Sequence, residues 1–337
     1  SNPPQIRIFN LLSCPIQPPS PLPKLHREGE ETTMAAVIYH VFSSTALVSL
    51  GLYHIICATR NHLSSRAPAD YFAKPYHPLP SAHRLLKHLQ LYLLILFLFL
   101  AFIHQILVSS DSDPLLKGHT PVHRFTSLQS AAVLFLFLLL VVALLLSQAS
   151  FLLPFPFDLF FALSSAVFFL QYSSFSASAS ALSSGLESKC DSLSARISVL
   201  SSFLCLLLAC QPRLFVADVA LGASVCLQGL WALQSGLSLY VEAFIPEGCH
   251  KLLDVVSGVE GSTKCDLEES RLRAVAILDL AFVVYVMFTL LIVLLAYAVV
   301  AKTAGIRRYG SYEALPALST SGDTNHVQMK TMAGMQA

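Results

Sequence analysis

The sequence predicts an all-α, polytopic membrane protein folded as a seven-transmembrane-helix bundle. Of the 337 residues, 55% are hydrophobic and only 12% are charged, and the mean hydropathy is +0.64. A soluble domain usually has about a quarter of its residues charged. The apolar residues occur in long blocks, and runs such as 133–146 do not alternate as barrel strands do. This composition, with a net charge of +1, excludes a disordered chain, a disulfide-rich secreted module and a basic nucleic-acid binder.

Seven blocks are long enough to cross a bilayer, which takes about 20 apolar residues per helix. We expect them to form a membrane domain over 34–301. A disordered extension over 1–33, rich in proline, precedes it, and a disordered cytosolic tail over 302–337 follows it. The Ser- and Ala-rich stretch 173–184 is typical of a flexible linker. The predicted spans are 36–58, 86–108, 125–147, 157–175, 193–211, 214–243 and 273–301.

The distribution of Lys and Arg predicts the orientation in the membrane. Cytosolic loops carry an excess of these residues near span ends. The first loop and the start of the tail are both basic, which places the N-terminus outside and the C-terminus in the cytosol, in the plasma membrane or an endomembrane. The last loop, with its own four cations, is the competing choice. The residues counted are Arg60, Arg66, Lys74 and Arg84, then Lys302, Arg307 and Arg308, against Lys251, Lys264, Arg271 and Arg273.

Histidines within the first two spans are candidates for metal, haem or proton chemistry. His40 and His54 lie 14 residues apart, which places them on one helix face about 21 Å apart. His88 and His104 are about 160° apart around their helix, so both cannot face the first span. One pair, His40 with His104 or His54 with His88, can still meet. The alternative is that these histidines make ordinary interfacial hydrogen bonds.

Three glycines in span six recur every seven residues: Gly222, Gly229 and Gly236. Seven residues nearly complete two helical turns, so the three share one face. In lipid, small residues let helices approach closely. The stripe therefore indicates a helix-packing seam that makes span six a central helix, with a substrate groove as the alternative.

Ionisable and amide side chains inside spans are costly in lipid and indicate functional sites. Asp279 lies several residues inside the last span, whereas Asp218 and Glu242 lie nearer span ends and weigh less. The resulting candidate polar path consists of His40, His54, His104, Gln228 and Asp279.

Motifs for enzyme chemistry are missing from the sequence, which has no phosphate-binding glycine loop, no HExxH, no nucleophile elbow and no CxxC. We therefore expect no catalytic activity, no cofactor and no metal. In the tail, Tyr312 and Leu315 fit the Tyr-x-x-apolar pattern that endocytic adaptors bind, which predicts a sorting motif.

Several segments resemble the transmembrane protein 45 family, whose plant branch is known as viral-response proteins of unknown biochemical activity. The segment 50–54 (LGLYH) is similar to the family's Gly-Leu-Trp-His, and 227–231 (LQGLW) to its Phe-Gln-Gly-x-Trp. The segment 245–249 (IPEGC), followed by Cys265, resembles its Pro-x-Gly-Cys…Cys loop, and 271–274 (RLRA) its Arg-Ala-Lys-Ala. The likeness covers about 36–301 with the same order of spans.

The resemblance implies a seven-helix membrane fold and a stress- or virus-response setting in plants. It also supports a disulfide between Cys249 and Cys265, since both lie in the longest loop, which faces outside if the N-terminus does. The function predicted is that of a non-enzymatic membrane protein acting through protein or lipid partners, without nucleic acid. A transporter or channel, and a membrane redox or metal-binding protein, are the alternatives.

Overall fold

The computed structural model describes residues 22–65, 71–79, 84–111, 122–149, 154–181, 185–251 and 263–303. The statements that follow concern these residues. The predicted fold class is confirmed, because seven helices are long and apolar enough to cross a membrane. The helices are α1 (Leu22–Ser64), α2 (Arg84–Lys87), α3 (Leu89–Asp111), α4 (Val122–Ala149), α5 (Phe157–Ala181), α6 (Gly185–Cys210), α7 (Phe215–Tyr240) and α8 (Glu268–Thr303).

The boundaries differ from the predicted ones in two places. Helix α1 begins at Leu22, so the part of the predicted disordered extension from 22 to 33 is helical instead. No proline follows Pro23 there, and the segment has the Leu, Lys, Arg and Glu residues that favour helix. Helix α5 continues to Ala181 through most of the predicted Ser/Ala linker. In a bilayer the backbone must satisfy its own hydrogen bonds, so a Ser/Ala stretch remains helical.

Helices α6 and α7 form the centre of the bundle. About half of the most apolar part of each helix is buried, compared with 6% of the most apolar part of α3. Helix α7 packs most extensively on α1, and also contacts α6 and α8. Trp231 on α7 is fully buried, and its ring nitrogen donates a hydrogen bond of 3.1 Å to the carbonyl oxygen of Cys190. The structure thus places span six as the sequence predicted.

The glycine stripe of α7 faces α1 along an antiparallel seam. A Cβ added at Gly229 would lie 2.8 Å from the backbone nitrogen of Val48, and one at Gly236 would lie 2.5 Å from the Cβ of His40. Gly222 meets Ile55 at 2.9 Å in the same way. The three glycines therefore form the packing seam, because any side chain there would separate the helices.

A short loop segment and a small ribbon complete the two ends of the bundle. Residues 71–79, here called the capping segment, fold against the end where α6 joins α7, and the backbone nitrogen of Ala73 donates to the oxygen of Pro212 at 2.7 Å. At the opposite end, β1 (Cys249–Lys251) pairs antiparallel with β2 (Thr263–Cys265). A disulfide joins Cys249 to Cys265, with Cα atoms 3.9 Å apart.

Candidate functional site

A buried carboxylate lies between α1 and α7, next to the capping segment. Asp218 is in the first turn of α7, and its side chain is 1% exposed. One carboxylate oxygen lies 2.7 Å from Nε2 of His54, whose side chain is 13% exposed. The other oxygen accepts a hydrogen bond from the hydroxyl of Tyr71. Each carboxylate oxygen therefore has a donor, which a buried charge requires.

His77 completes this group, here called the Asp218 cluster: His54, Tyr71, His77 and Asp218. The rings of His54 and His77 meet edge to face with centroids 5.8 Å apart. The backbone oxygen of His77 accepts a hydrogen bond of 2.9 Å from the Tyr53 hydroxyl, which fixes the capping segment to α1. The ring Nε2 of His77 is buried and has no hydrogen-bond partner.

The two members of the cluster on the capping segment have shifted pKa values. Burial, with the Asp218 carboxylate beside it, raises the pKa of the Tyr71 hydroxyl, so Tyr71 remains a donor at neutral pH. Burial, with the positive charge of His54 adding to it, lowers the pKa of His77 to about 4. His77 is therefore a neutral ring near pH 7.

Local sequence explains why the capping segment reaches this depth. It reads YFAKPYHPL over 71–79, so its aromatic side chains carry apolar surface inward while their hydroxyls keep hydrogen bonds. Tyr71, Ala73 and Tyr76 are buried. The Tyr76 hydroxyl lies 3.0 Å from Nδ1 of His88. His88 thus pairs with the capping segment and not with His54.

The other end of the α1–α7 seam holds the second group of histidines. Nδ1 of His40 lies 2.9 Å from the carbonyl oxygen of Ala232 on α7, an ordinary neutral hydrogen bond. His104 stacks on Tyr39, with ring centroids 4.0 Å apart, and its Nδ1 is buried without a partner. His40 and His104 thus lie on either side of Tyr39, which also meets the His40 ring edge to face.

The remaining members of the predicted polar path lie elsewhere. Asp279 pairs with Lys189 of α6 at 2.7 Å and is half exposed. Helix α8 has 36 residues, so it is about 54 Å long and exceeds the roughly 30 Å hydrocarbon core. Its first turns can therefore reach the headgroups. The amide oxygen of Gln228 is buried without a partner. The five predicted residues do not form one continuous cluster.

Other predicted features divide between the two ends and the tail. The disulfide of Cys249 and Cys265 lies at the ribbon end. The sorting motif at Tyr312 and Leu315 lies outside the described residues. Within the part of the chain that the structure describes, no group of three or more His, Cys, Asp or Glu residues is placed to hold a metal ion.

The position of Asp218 near the end of a predicted span gave it little weight as a candidate, and no sequence motif marks Tyr71 or His77. Asp218 stands in a first helical turn, where a carboxylate is usually interfacial and favoured by the helix dipole. Its burial depends on the capping segment, 147 residues away in sequence. The feature of the sequence that could have indicated these residues is the presence of tyrosines and histidines in the first loop, which is otherwise polar.

Comparison with known proteins gives a partial likeness. Residues 157–298 match a family of unknown function (DUF716). The matched part spans α5 to α8, and so includes Asp218, the glycine stripe and both cysteines of the disulfide. No curated protein matches the chain.

Proposed function

We propose that the chain is a non-enzymatic integral membrane protein that binds and releases a proton at the Asp218 cluster, as a proton-linked transporter does. The buried His54–Asp218 pair carries this proposal. A carboxylate and an imidazole 2.7 Å apart, inside a span, can exchange one proton without leaving an unpaired buried charge. Ionisable residues at such positions in membrane proteins commonly serve ion pathways and proton relays.

The absence of catalysis remains a proposal based on the sequence, which has none of the common catalytic motifs. The orientation is also proposed, with the N-terminus outside and the C-terminus in the cytosol. The exposed Arg60 lies beside the capping segment and the exposed Lys74 lies within it, which supports a cytosolic position for that end. In this orientation the Asp218 cluster lies near the cytosolic surface, and the disulfide lies outside, where disulfides persist.

The test of the proton site is a flux measurement in proteoliposomes with a trapped pH-sensitive dye and an imposed membrane potential. We expect the protein to carry protons above the leak of empty liposomes. The Asp218→Asn variant keeps the shape of the side chain but not its titration, so it should reduce the flux to the leak. The matched control is Asp279→Asn, which changes an aspartate of another membrane-spanning helix outside the cluster and should retain the flux. Wild-type flux equal to that of empty liposomes would contradict the proposal.

A second candidate function is the binding of protein or lipid partners within the membrane. The exposed surface of helix α8 supports this candidate. Only Ala274, Leu278, Thr289, Ala296 and Val300 are buried over its 36 residues, so most of its apolar surface is open to lipid or to another helix. The resemblance to the plant viral-response branch adds stress or infection as the setting for such partners. A photo-reactive residue at Met287, which is 64% exposed, should crosslink to a discrete protein or lipid in native membranes. Diffuse labelling of bulk lipid would count against a specific partner.

A further inference from the structure

Four exposed cations surround the capping segment, and we call them the basic rim: Arg60, Lys74, Lys87 and Arg213. They come from α1, the capping segment, α2 and the α6–α7 turn. No ion pair joins any of the four to a carboxylate of the described residues. The cations Lys189, Arg271 and Arg273, in contrast, each have an acidic partner.

Hydrogen bonds of the backbone hold the cations of the rim close together. The bond of 2.7 Å from the nitrogen of Ala73 to the oxygen of Pro212 joins the capping segment to the α6–α7 turn. Lys74 directly follows one of these residues, and Arg213 follows the other. Two positively charged residues therefore lie on adjacent backbone segments, where like charges repel each other.

Two more contacts bring the remaining cations to the same segment. The side-chain nitrogen of Asn61 donates to the oxygen of Phe72 at 3.2 Å, which places Arg60 next to the capping segment. The hydroxyl of Tyr76 donates to the oxygen of Lys87 at 2.5 Å, which places Lys87 on its other side. The rim is thus a built feature of the folded capping segment and not a scatter of surface charges.

Exposed apolar side chains stand beside these cations. Phe72 is 38% exposed, Leu214 is 37% exposed and Val216 is 77% exposed. Leu214 and Val216 follow Arg213 at the start of α7, and Phe72 precedes Lys74 by two residues. A phospholipid carries a negative phosphate with apolar chains attached to the same molecule, so it matches both halves of this surface. A water-soluble anion matches the cations alone.

We propose that the basic rim is a binding site for an anionic phospholipid, with its phosphate between Lys74 and Arg213 and its acyl chains along Phe72 and Val216. The site is separate from the proton site, and the proposal does not rest on the proposed function. Lys and Arg residues near a membrane surface attract anionic lipids, and each contributes about a fivefold gain in apparent affinity.

The experiment compares phosphatidylserine with phosphatidylcholine on the purified full chain. Native mass spectrometry, after reconstitution in vesicles containing both lipids, counts the lipids that remain bound. We expect phosphatidylserine to be retained selectively. The variant Arg60→Gln/Lys74→Gln/Arg213→Gln should lose this retention by about two orders of magnitude. The control Arg271→Gln/Arg273→Gln, at the opposite end, should keep it. Equal retention by the rim variant, or an equal loss in the control, would overturn the proposal.

Two further measurements separate a lipid from a free anion and from unfolding. Val216→Ser alters an exposed apolar side chain without changing charge, and it should weaken phosphatidylserine retention while leaving the thermal unfolding temperature unchanged in detergent. The soluble headgroup glycerophosphoserine, at equal concentration, should not compete. Full competition by it would show an anion site without lipid specificity and would contradict the proposal. Because Asp218→Asn leaves the rim intact, that variant should retain phosphatidylserine even if it stops proton flux.

Discussion

The two ends of the α1–α7 seam use the same helix pair and the same residue type for different purposes. His54 and His40 lie on one face of α1, and both reach across to α7. At one end the ring meets the carboxylate of Asp218 at 2.7 Å, and at the other it meets the carbonyl oxygen of Ala232 at 2.9 Å. The first contact joins two titratable side chains, whereas the second joins a histidine to a backbone carbonyl. The chemistry of each histidine is thus decided by its partner on α7.

The capping segment distinguishes the two ends of the seam. It supplies the Tyr71 hydroxyl to the second oxygen of Asp218 and covers the pair with apolar and aromatic surface. At the His40 end, the His40 ring contacts the rings of Tyr39 and Tyr240, and His104 stacks on Tyr39. The difference between the ends can be tested by removing partners at each in turn.

Removal of the carboxylate should have the largest effect on stability. Asp218→Ala leaves His54 and Tyr71 without their acceptor, and breaking a buried ion pair by removing one member costs about 3–5 kcal/mol. The matched variant Asp279→Ala removes a half-exposed partner of Lys189, and it should cost about 1 kcal/mol or less. Thermal unfolding of the purified proteins measures both. Equal losses of stability would mean that the buried Asp218 contributes no more to folding than the half-exposed Asp279.

Overpacking of the α1–α7 seam should have the second-largest effect on stability. A Cβ at Gly51 would lie 2.6 Å from both the nitrogen of Cys226 and the oxygen of Gly222, and backbone atoms cannot move aside locally. Gly51→Ala should therefore destabilise the protein by about 1–3 kcal/mol. At Gly185 the neighbours are side-chain atoms of Arg271, which can shift, so Gly185→Ala is the control. A neutral Gly51→Ala variant would mean that the two helices are not in contact there.

Loss of the neutral hydrogen bond at the other end should have a smaller effect. His40→Gln removes or weakens one bond to the Ala232 carbonyl, and a single neutral hydrogen bond contributes about 1 kcal/mol. The same variant should leave proton flux unchanged, whereas His54→Gln should stop it. Flux that is sensitive to His40→Gln would extend the proton path along the whole seam and remove the contrast between its ends.

The sequence predicted what depends on local pattern. The seven spans follow from runs of apolar residues, and the packing role of Gly222, Gly229 and Gly236 follows from their spacing on one helix. Both cysteines of the disulfide lie within one loop, so their pairing can also be predicted from the sequence. In contrast, Asp218 meets His54 across 164 residues and Tyr71 across 147. No local pattern states which loop folds back over a helix end, and that folding decides which carboxylate is buried.

The polar path shows the same division between local and long-range information. Position within a span marked both His54, which lies in the Asp218 cluster, and Asp279, which lies beside Lys189 near the start of a long helix. The position of Asp218 within the predicted span does not indicate that its side chain is buried. The length of α8 beyond the bilayer, and the depth of the capping segment, are properties of the folded chain.

The smallest expected effect concerns His77, where the structure predicts a change of stability with pH. Burial and the charge of His54 lower its pKa to about 4 in the folded chain, against about 6.5 in the unfolded chain. The carboxylate of Asp218 opposes this shift, and Lys74 adds to it. Between these two values the unfolded chain binds more protons, so stability is retained above about pH 6.5 and falls as the pH falls toward 4. From pH 7 to pH 6 the loss of stability should be about 0.7 kcal/mol.

The variant His77→Gln cannot titrate at this position, so its stability should be less sensitive to pH between pH 7 and pH 6 by that amount. If His77→Gln shows the same pH dependence as the wild type, His77 is accessible to protons in the folded chain, and the capping segment does not seal the charged end of the seam.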